Sequence, residues 1–353
     1  MIFLVGGSII IILAIVALAK SKKPLKILWA ETKCEIHLNV VGTKSMIQDF
    51  MMRGKNKTDL PTKTGKIAVI TGGTRGIGLE VIKMLLQCDI TIVIGCRNIK
   101  QGEALLGIFR KEGITKGKID VMKLDISVMD SVKEFAKAVR EKYPLIHYLI
   151  NNAGIMFGPY VETRDGYESQ FSTNYLGHFL LTHLLLPRIK DAGKEDDMAR
   201  IVNVSSCAHM VAAEINFADI NNRSEYITGW AYAQSKLAQV LFTNYLEDLL
   251  RREGAFVQVH AVHPGIVNTE LFDGSYLKNM APWLPAYFFK SPERGAVPIV
   301  YACLSSQLEG KGGTYITNCE VYPPSEIAKS TELQKKLFDF TKDILKIEDF
   351  GKK

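Results

Sequence analysis

The stretch of sequence that decides the fold is KIAVITGGTRGIG, from Lys66 to Gly78. An apolar, β-branched run comes first, glycines spaced G-x-x-x-G-x-G follow, and LEVIKMLLQ then repeats apolar residues with helical spacing. This order predicts a strand, a tight turn and a helix. Glycines let backbone amides approach an anion closely, and the start of a helix favours negative charge. Because the spacing differs from the G-x-G-x-x-G fingerprint, a plain turn is the alternative when the motif is taken alone.

Outward from this stretch, apolar runs recur along the chain and alternate with segments of helical periodicity. Such alternation predicts a parallel sheet whose strands are joined by right-handed helical crossovers. We therefore predict an α/β fold, a single Rossmann-type, doubly wound domain over residues 64–353 with about seven parallel strands. The strand candidates are KIAVIT, TIVIG, IDVMKLD, IHYLIN, RIVNVS, VQVHAVH and a weaker run from Thr314 to Thr317.

The second apolar run, Ile90 to Cys96, ends at Arg97. In a dinucleotide-binding fold, the end of this strand carries the group that contacts the adenosine ribose. No Asp or Glu occurs between Ile94 and Gln101 to accept a hydrogen bond from a free 2′-hydroxyl, whereas a guanidinium suits a 2′-phosphate. The sequence favours NADP(H), with NAD(H) as the alternative. Arg75 is a second cation for the same phosphate, and the other interpretation of Arg97 is a solvated loop residue.

A second motif, Tyr232-x-x-x-Lys236, predicts proton transfer beside hydride chemistry. Residues four apart share a helix face, so both side chains can point into one pocket, where an ammonium favours the phenolate. We expect Lys236 and an oxidised nicotinamide ring together to lower the pKa of Tyr232, and Ser206 of IVNVSS to lie beside them. The motif is weak by itself, because the chain has thirteen tyrosines and chance matches are common.

The motifs together resemble the short-chain dehydrogenase/reductase superfamily, over a region from about Thr64 to Tyr322. The matching segments are TGGTRGIG, LDIS, NNAG, NYLGHF, IVNVSS, AYAQSK and HPGIVNT, in that order. The gap between the serine and the tyrosine is one residue longer than the family pattern, so Ser205 is an alternative to Ser206. The resemblance implies a catalytic tetrad of Asn174, Ser206, Tyr232 and Lys236.

The same resemblance implies a role for each cofactor-binding segment. Asp125 of LDIS is expected to contact adenine, HPGIVNT to contact the nicotinamide carboxamide, and Asn174 to bend a helix and hold a water for proton relay. Tyr232 and Lys236 are expected to contact the cofactor as well as the substrate. The remaining cofactor-binding residues that the resemblance implies are Gly72, Thr74, Arg75, Gly76, Ile77, Gly78, Arg97, Asn152, Ala153, Gly154, Pro264, Gly265, Ile266 and Thr269.

Within the superfamily, NYLGHFLLTHLLLP, ARIVNVSSCAH and VHPGIVNTEL resemble the retinol-dehydrogenase branch, and FFKSPERGA and LEGKGGTY resemble its polyprenol and dolichal type. This implies a lipophilic small-molecule substrate, a polyprenol first and a retinoid or steroid second. A catalytically silent, dinucleotide-sensing binding protein is the alternative from another class. A sugar-nucleotide epimerase is disfavoured by the glycine spacing.

The N-terminus points to a membrane. Ile2 to Ala19 is uncharged, and as a helix it would be about 27 Å long, close to the thickness of a hydrocarbon core. We predict an uncleaved anchor over residues 1–20, with a signal peptide as the rival because Ala17-Leu18-Ala19 resembles a cleavage site. The expected location is the endoplasmic reticulum or a lipid droplet, with the catalytic domain facing the cytosol, since basic residues follow the apolar run: Lys20, Lys22, Lys23 and Lys26.

Three further segments complete the predicted organisation. Residues 21–63 are interpreted as a juxtamembrane connector, helical over part of Ile36 to Met52. Residues 270–295 include YLKNMAPWLPAYFF and are interpreted as a substrate lid, with ordinary core packing as the alternative. Residues 325–347 form a predicted tail helix that docks on the domain through Leu333, Leu337, Phe340 and Ile344.

Charge and cysteine usage exclude other classes. The formal charge of +7 is spread along the chain, so no nucleic-acid partner is predicted. The six cysteines lack a C-x-x-C pair, and the histidines lack ligand spacing, so we predict neither a metal site nor a disulfide framework. A homo-oligomer is left open.

Overall fold

The computed structural model describes residues 24–272 and 289–352. An eight-stranded sheet forms its centre, and the first seven strands coincide with the apolar runs of the sequence. The strands are β1 Ile67–Thr71, β2 Thr91–Cys96, β3 Lys118–Lys123, β4 Tyr148–Asn151, β5 Ala199–Val204, β6 Val257–His263, β7 Thr314–Thr317 and β8 Glu320–Tyr322.

Helices connect most of these strands. A π-helical turn, Ser172–Leu176, leads directly into α5, and 3-10 turns occur at Cys207–Met210, Glu270–Phe272, Ser306–Leu308 and Glu326–Lys329. The main helices are α1 Leu25–Met51, α2 Gly76–Gln87, α3 Ile99–Lys111, α4 Met129–Lys142, α5 Gly177–Lys190, α6 Thr228–Arg252, α7 Pro292–Leu304 and α8 Thr331–Ile344.

The strand order is β3-β2-β1-β4-β5-β6-β7-β8, and β1 to β7 pair in parallel. The prediction of a Rossmann-type α/β fold is confirmed. The predicted number of about seven parallel strands requires one correction, because β8 adds an antiparallel edge through a hairpin with β7. Asn318 and Cys319 form that hairpin turn with positive φ angles. The strand was missed because its three side chains are all exposed and show no apolar alternation.

Two apolar layers sandwich the sheet. Side chains from α4, α5, α6 and α8 form the core on one face, and side chains from α2, α3 and α7 form the core on the other. The carboxyl ends of β1, β2, β4, β5 and β6 lie along one edge, and the order reverses between β1 and β4. In open α/β sheets, ligands bind outside the carboxyl ends at this switch point.

The segment predicted as a connector is mostly one long helix. The sequence predicted helix over part of Ile36 to Met52, but α1 begins at Leu25 and packs on α6 and the Cys207–Met210 turn. Residues 1–20, predicted as an anchor, lie outside the described residues, and so does most of the predicted lid, residues 273–288. Within residues 24–272 and 289–352, no helix combines the length and apolar content needed to cross a bilayer.

Candidate active site

The glycine turn after β1 packs closely against the turn after β4. Gly72 has a φ of +68°, and a Cβ there would lie 2.8 Å from the Cα of Ala153. A Cβ on Gly78 would overlap the carbonyl oxygen of Gly72. Asn152 donates hydrogen bonds through Nδ2 to the carbonyls of Thr71 and Gly72, both at 2.9 Å. This backbone cradle, next to the start of α2 at Gly76, fits the pyrophosphate of a dinucleotide.

The two arginines predicted to recognise a 2′-phosphate have different surroundings. Arg75 stands at the N-cap of α2 and forms an ion pair with Glu270 across the site. Arg97 is exposed directly after β2. Thr74 directly precedes Arg75, and Ile77, two residues after it, is partly buried against the core. Both arginines are exposed, and Arg75 would exchange an acidic partner for a phosphate.

Asp125 shapes the turn that follows β3. Its Oδ1 accepts hydrogen bonds from the amide and the hydroxyl of Ser127, at 3.1 and 2.7 Å. Its own amide donates to Ser131 at 2.9 Å. The structure thus shows a turn-forming role for one carboxylate oxygen, and the adenine contact stays a prediction.

The two serines after β5 have separate partners. The buried hydroxyl of Ser205 donates to the carbonyl of Lys236 at 2.9 Å and so ties β5 to α6. The hydroxyl of Ser206 accepts from the amide of Ala208 at 3.2 Å and is hydrogen-bonded to the side chain of Tyr232. Ser206, and not Ser205, is therefore the serine that acts on the pKa of the tyrosine.

Tyr232 and Lys236 are both buried on the same face of α6. The Lys236 Nζ lies 5.7 Å from the centroid of the Tyr232 ring and donates to the carbonyl of Val204 at 2.9 Å. The ring of Phe157 meets the tyrosine edge-on at a centroid distance of 5.8 Å. The side chains expected from the Tyr-x-x-x-Lys motif are thus together in one apolar pocket.

Burial dominates the electrostatics of this pocket. Burial raises the pKa of Tyr232 above its usual value, and the hydrogen bond with Ser206 opposes this only in part. Burial also lowers the pKa of Lys236 to about 8. These directions are those of the chain by itself, and the expected lowering of the tyrosine pKa by Lys236 together with an oxidised nicotinamide ring stays a prediction.

Asn174 lies in the π-helical turn before α5. Its side chain clamps the backbone of Ile155, accepting from the amide at 2.9 Å and donating to the carbonyl at 3.0 Å. A Cβ on Gly154 would lie 3.2 Å from the Asn174 Oδ1 and 3.5 Å from the Lys236 Nζ. Asn174, Gly154 and Lys236 are thus close neighbours, and the distorted helix agrees with the predicted bend. The water-holding role stays a prediction.

The loop after β6 carries the last predicted cofactor contacts. Thr269 faces Gly76, whose Cβ would lie 3.5 Å from the threonine methyl. The amide of Ile266, predicted to contact the carboxamide, donates instead to Asp49 Oδ2 of α1 at 3.0 Å. Gly265 lies against the same carboxylate. A contact of the Ile266 amide with the cofactor carboxamide would therefore have to replace its hydrogen bond to the Asp49 carboxylate of α1.

A buried ion pair holds α1 to this loop, and sequence reasoning missed it. The ammonium of Lys290 lies 3.0 Å from the Asp49 carboxylate and also donates to the carbonyl of Pro264 at 3.3 Å. Asn318 completes the network, because it accepts from Lys290 at 2.7 Å and donates to Asp49 at 2.9 Å. Both charged side chains are more than nine-tenths buried. The sequence signal that could have revealed this ion pair is Asp49, an acidic residue on the inward face of a helix.

Other residues of α1 cover Tyr232. Leu38 packs against the cluster formed by Met156, Ala208 and Tyr232. The hydroxyl of Ser45 is hydrogen-bonded to His263 Nε2 at 2.8 Å. The segment interpreted as a connector is therefore a wall of the site.

Comparisons with known proteins agree with this geometry. Residues 66–279 match the family model described as short chain dehydrogenase. The polyprenol dehydrogenase of Homo sapiens is 36% identical over 314 residues, covering 87% of this chain and 94% of the relative. Retinol dehydrogenase 11 of Homo sapiens is 38% identical over 284 residues, covering 80% of this chain and 86% of the relative.

A solved structure gives the same result. An uncharacterized protein from Mycobacterium Paratuberculosis superposes with a TM-score of 0.66 at 32% sequence identity, covering 82% of this chain and 97% of that chain. The predicted resemblance is thus confirmed. The chain belongs to the short-chain dehydrogenase family and is an NAD(P)-dependent oxidoreductase acting on CH–OH groups.

Proposed function

We propose that this protein is a membrane-anchored oxidoreductase that interconverts a polyprenol- or dolichol-type alcohol and its aldehyde or ketone, using NADP(H). The observation that carries the proposal is the apolar wall around the catalytic tyrosine. Met156 and Ala208 are buried against Tyr232, and Leu38 and Phe157 pack on the same cluster. Such a wall favours an extended hydrocarbon over a polar substrate, because burial of apolar surface stabilises the complex.

The side chains of the site divide the proton chemistry between them. In oxidation, Tyr232 takes the hydroxyl proton of the alcohol, and Ser206 holds the substrate oxygen by a hydrogen bond. Lys236 stabilises the phenolate form of Tyr232 that exists before this transfer, and it would hold the ribose of the bound cofactor. When bound, the nicotinamide accepts the hydride that leaves the carbinol carbon, and reduction reverses each transfer. Asn174 positions the Gly154 turn beside Lys236.

Arg97 supports the preference for NADP(H). It is exposed at the end of β2, and no carboxylate occurs between Ile94 and Gln101. An Arg97→Ser variant is expected to raise the KM for NADP⁺ by about tenfold or more, the equivalent of one charge-assisted hydrogen bond. The KM for NAD⁺ should change little. Equal effects on both cofactors would contradict the role of Arg97.

Membrane anchoring is part of the proposal. The uncharged run from Ile2 to Ala19, followed by lysines, supports an anchor in the endoplasmic reticulum or a lipid droplet with the catalytic domain in the cytosol. The lipid-soluble substrate would then reach the enzyme from the same bilayer.

A turnover panel tests the function. The full chain in detergent or vesicles is supplied with NADP⁺ or NADPH and with a polyprenol, dolichal, retinol, retinal or a steroid alcohol. We expect the isoprenoids to give the highest kcat/KM. Retinoids are the second candidate, because retinol dehydrogenases 11 and 12 are about as similar to this chain as the polyprenol dehydrogenases are. If the enzyme turns over neither the polyprenol nor the dolichal, the leading substrate class is refuted.

A further inference from the structure

The outer face of α1 carries an apolar stripe that no other element of the described chain covers. Of the seventeen exposed large apolar residues among those described, seven are on this one helix, with exposures from 47% to 81%. Single exposed apolar residues need no explanation, but a contiguous patch marks an interaction surface. We call these residues the α1 stripe: Leu25, Trp29, Ile36, Val40, Ile47, Phe50 and Met51.

The spacing places the whole stripe on one side of the helix. Leu25, Ile36 and Ile47 are eleven residues apart, and Trp29, Val40 and Met51 repeat the same interval. Eleven residues complete just over three turns of an α-helix, so each series runs nearly parallel to the axis. The two series are four residues apart and therefore adjacent. The stripe extends over the full helix, about 40 Å for 27 residues.

The opposite face of α1 is fixed to the catalytic domain, so the stripe cannot turn inward. Cys34, Ser45 and Asp49 are buried there. Asp49 pairs with Lys290, and Ser45 is hydrogen-bonded to His263. A helix that is apolar on its outer face while its inner face is already occupied requires a second partner.

Charge and chain continuity identify that partner as a lipid surface. The uncharged run Ile2 to Ala19 and the lysines at 20, 22 and 23 directly precede α1. Exposed Lys33 and Lys44 lie beside the stripe, and the guanidinium of Arg53 lies 5.0 Å from the ring centroid of Phe50. An apolar face bordered by cations is the pattern of helices that lie in the interface of an anionic membrane. A second copy of the chain would bring its own basic residues close to these, which disfavours self-association.

We propose that the α1 stripe docks on the surface of a phospholipid bilayer containing anionic lipids, with the helix lying in the plane of the interface. The inference rests on the membrane association in the proposed function and adds its geometry. Leu38, on the inner face of the same helix, contacts the cluster that contains Tyr232. The reacting centre thus lies about one helix diameter, roughly 10 Å, from the bilayer.

The test uses the full chain reconstituted in vesicles and an environment-sensitive fluorophore on an introduced cysteine. All six native cysteines are buried, so labelling is directed to the new site. Ile36→Cys places the probe on the stripe, and His37→Cys, the exposed neighbour about 100° around the helix, is the matched control. We expect the emission of the probe at 36 to shift to the blue and to be quenched by brominated lipid, and the emission at 37 to change little.

Lipid composition and activity provide separate readouts. Brominated lipid should quench the probe at 36 more strongly in vesicles of phosphatidylcholine mixed with phosphatidylserine than in vesicles of phosphatidylcholine alone. Equal exposure of both probes to water would overturn the proposal, and so would energy transfer between labelled copies that replaces lipid quenching. Because fluorescence requires no turnover, a failed activity panel with a lipid-buried stripe would refute the substrate and leave the docking surface standing.

Discussion

At the scale of single residues, the surroundings that the chain gives Tyr232 favour the neutral phenol over the phenolate that a general base requires. Burial raises the pKa of Tyr232, and it lowers the pKa of Lys236 to about 8. In short, both groups are driven towards their neutral forms. The phenolate needed for oxidation therefore depends on Ser206 and on the positive charge that the oxidised cofactor adds.

Substituting Ser205 and Ser206 one at a time distinguishes the serine that acts in catalysis from the serine that stabilises the fold. Ser206→Ala removes the hydrogen bond to Tyr232, and we expect kcat to fall by about 10²-fold or more with little change in cofactor affinity. Ser205→Ala removes only the bond to the Lys236 carbonyl, and it should reduce the free energy of unfolding by about 1 kcal/mol. Steady-state kinetics and urea unfolding of both variants check this. A larger loss of kcat in Ser205→Ala would reverse the assignment.

Lys236 should lower stability near neutral pH. Its folded pKa of about 8 lies below the ordinary value of 10.5, so the unfolded chain binds more protons between these values and stability rises with pH there. Lys236→Met should be inactive, because it lacks the ammonium beside Tyr232. Its free energy of unfolding relative to wild type should decrease by about 2 kcal/mol as the pH rises from about 7 to about 9.5. Urea unfolding across that range is the measurement. A pH-independent difference would show that the lysine is not strained by burial.

At the scale of elements, the sequence located β1 to β7 because each is an apolar run bounded by turn residues. It missed β8, whose side chains are exposed, and the first part of α1, residues 25–35. The two apolar faces of α1 weaken the one-sided periodicity by which a surface helix is recognised. Its role in the site depends on Asp49 meeting Lys290 and Ile266, which are more than 200 residues away in sequence. Local pattern carries no information about that contact.

The ion pair between Asp49 and Lys290 should couple α1 to the rest of the protein. Asp49→Leu leaves a buried ammonium without its charge partner and is expected to cost about 3–5 kcal/mol of unfolding free energy. Combining it with Lys290→Met should recover much of that loss, since no unpaired charge remains. A double-mutant cycle by urea unfolding measures the coupling. Additive effects of the two substitutions would exclude it.

At the scale of the whole molecule, the C-terminal tail closes one face of the sandwich. Phe338 of α8 and Phe350 beyond it meet the rings of Phe179 and Phe242, at centroid distances from 4.9 to 6.4 Å. The sequence predicted a docking tail from Leu333, Leu337, Phe340 and Ile344, of which Leu337 is buried and the other three are partly buried. Phe338 was not in that set, because its partners are on α5 and α6.

Phe338→Ala tests whether this aromatic cluster stabilises the domain. Removing a buried phenylalanine leaves a cavity and is expected to cost about 3–5 kcal/mol. The cluster is remote from the cofactor cradle, so the KM for NADP⁺ at a temperature where the variant is folded should match that of wild type. Thermal unfolding and kinetics are the two measurements. An altered KM with unchanged stability would contradict the purely structural role.

In the candidate site, too, the order of motifs predicts which residues come together, whereas the contacts of each side chain depend on the fold. The sequence placed the glycine cradle, Ser206, Tyr232 and Lys236 in one pocket because the order of motifs fixes their positions at strand ends. It could not separate Ser205 from Ser206, since that depends on which hydroxyl faces α6. Nor could it show how strongly burial raises the tyrosine pKa, because desolvation depends on how completely the fold encloses the ring.

The most direct measurement of the central claim follows the transferred hydrogen. A polyprenol carrying deuterium on its carbinol carbon is incubated with the full chain and NADP⁺, and the reduced cofactor is analysed by mass spectrometry. Direct hydride transfer predicts that the cofactor gains deuterium with wild type and that Tyr232→Phe, which still binds NADP⁺, gives almost none. Oxidation of the alcohol without deuterium in the cofactor, or undiminished transfer by the Tyr232→Phe variant, would contradict the account.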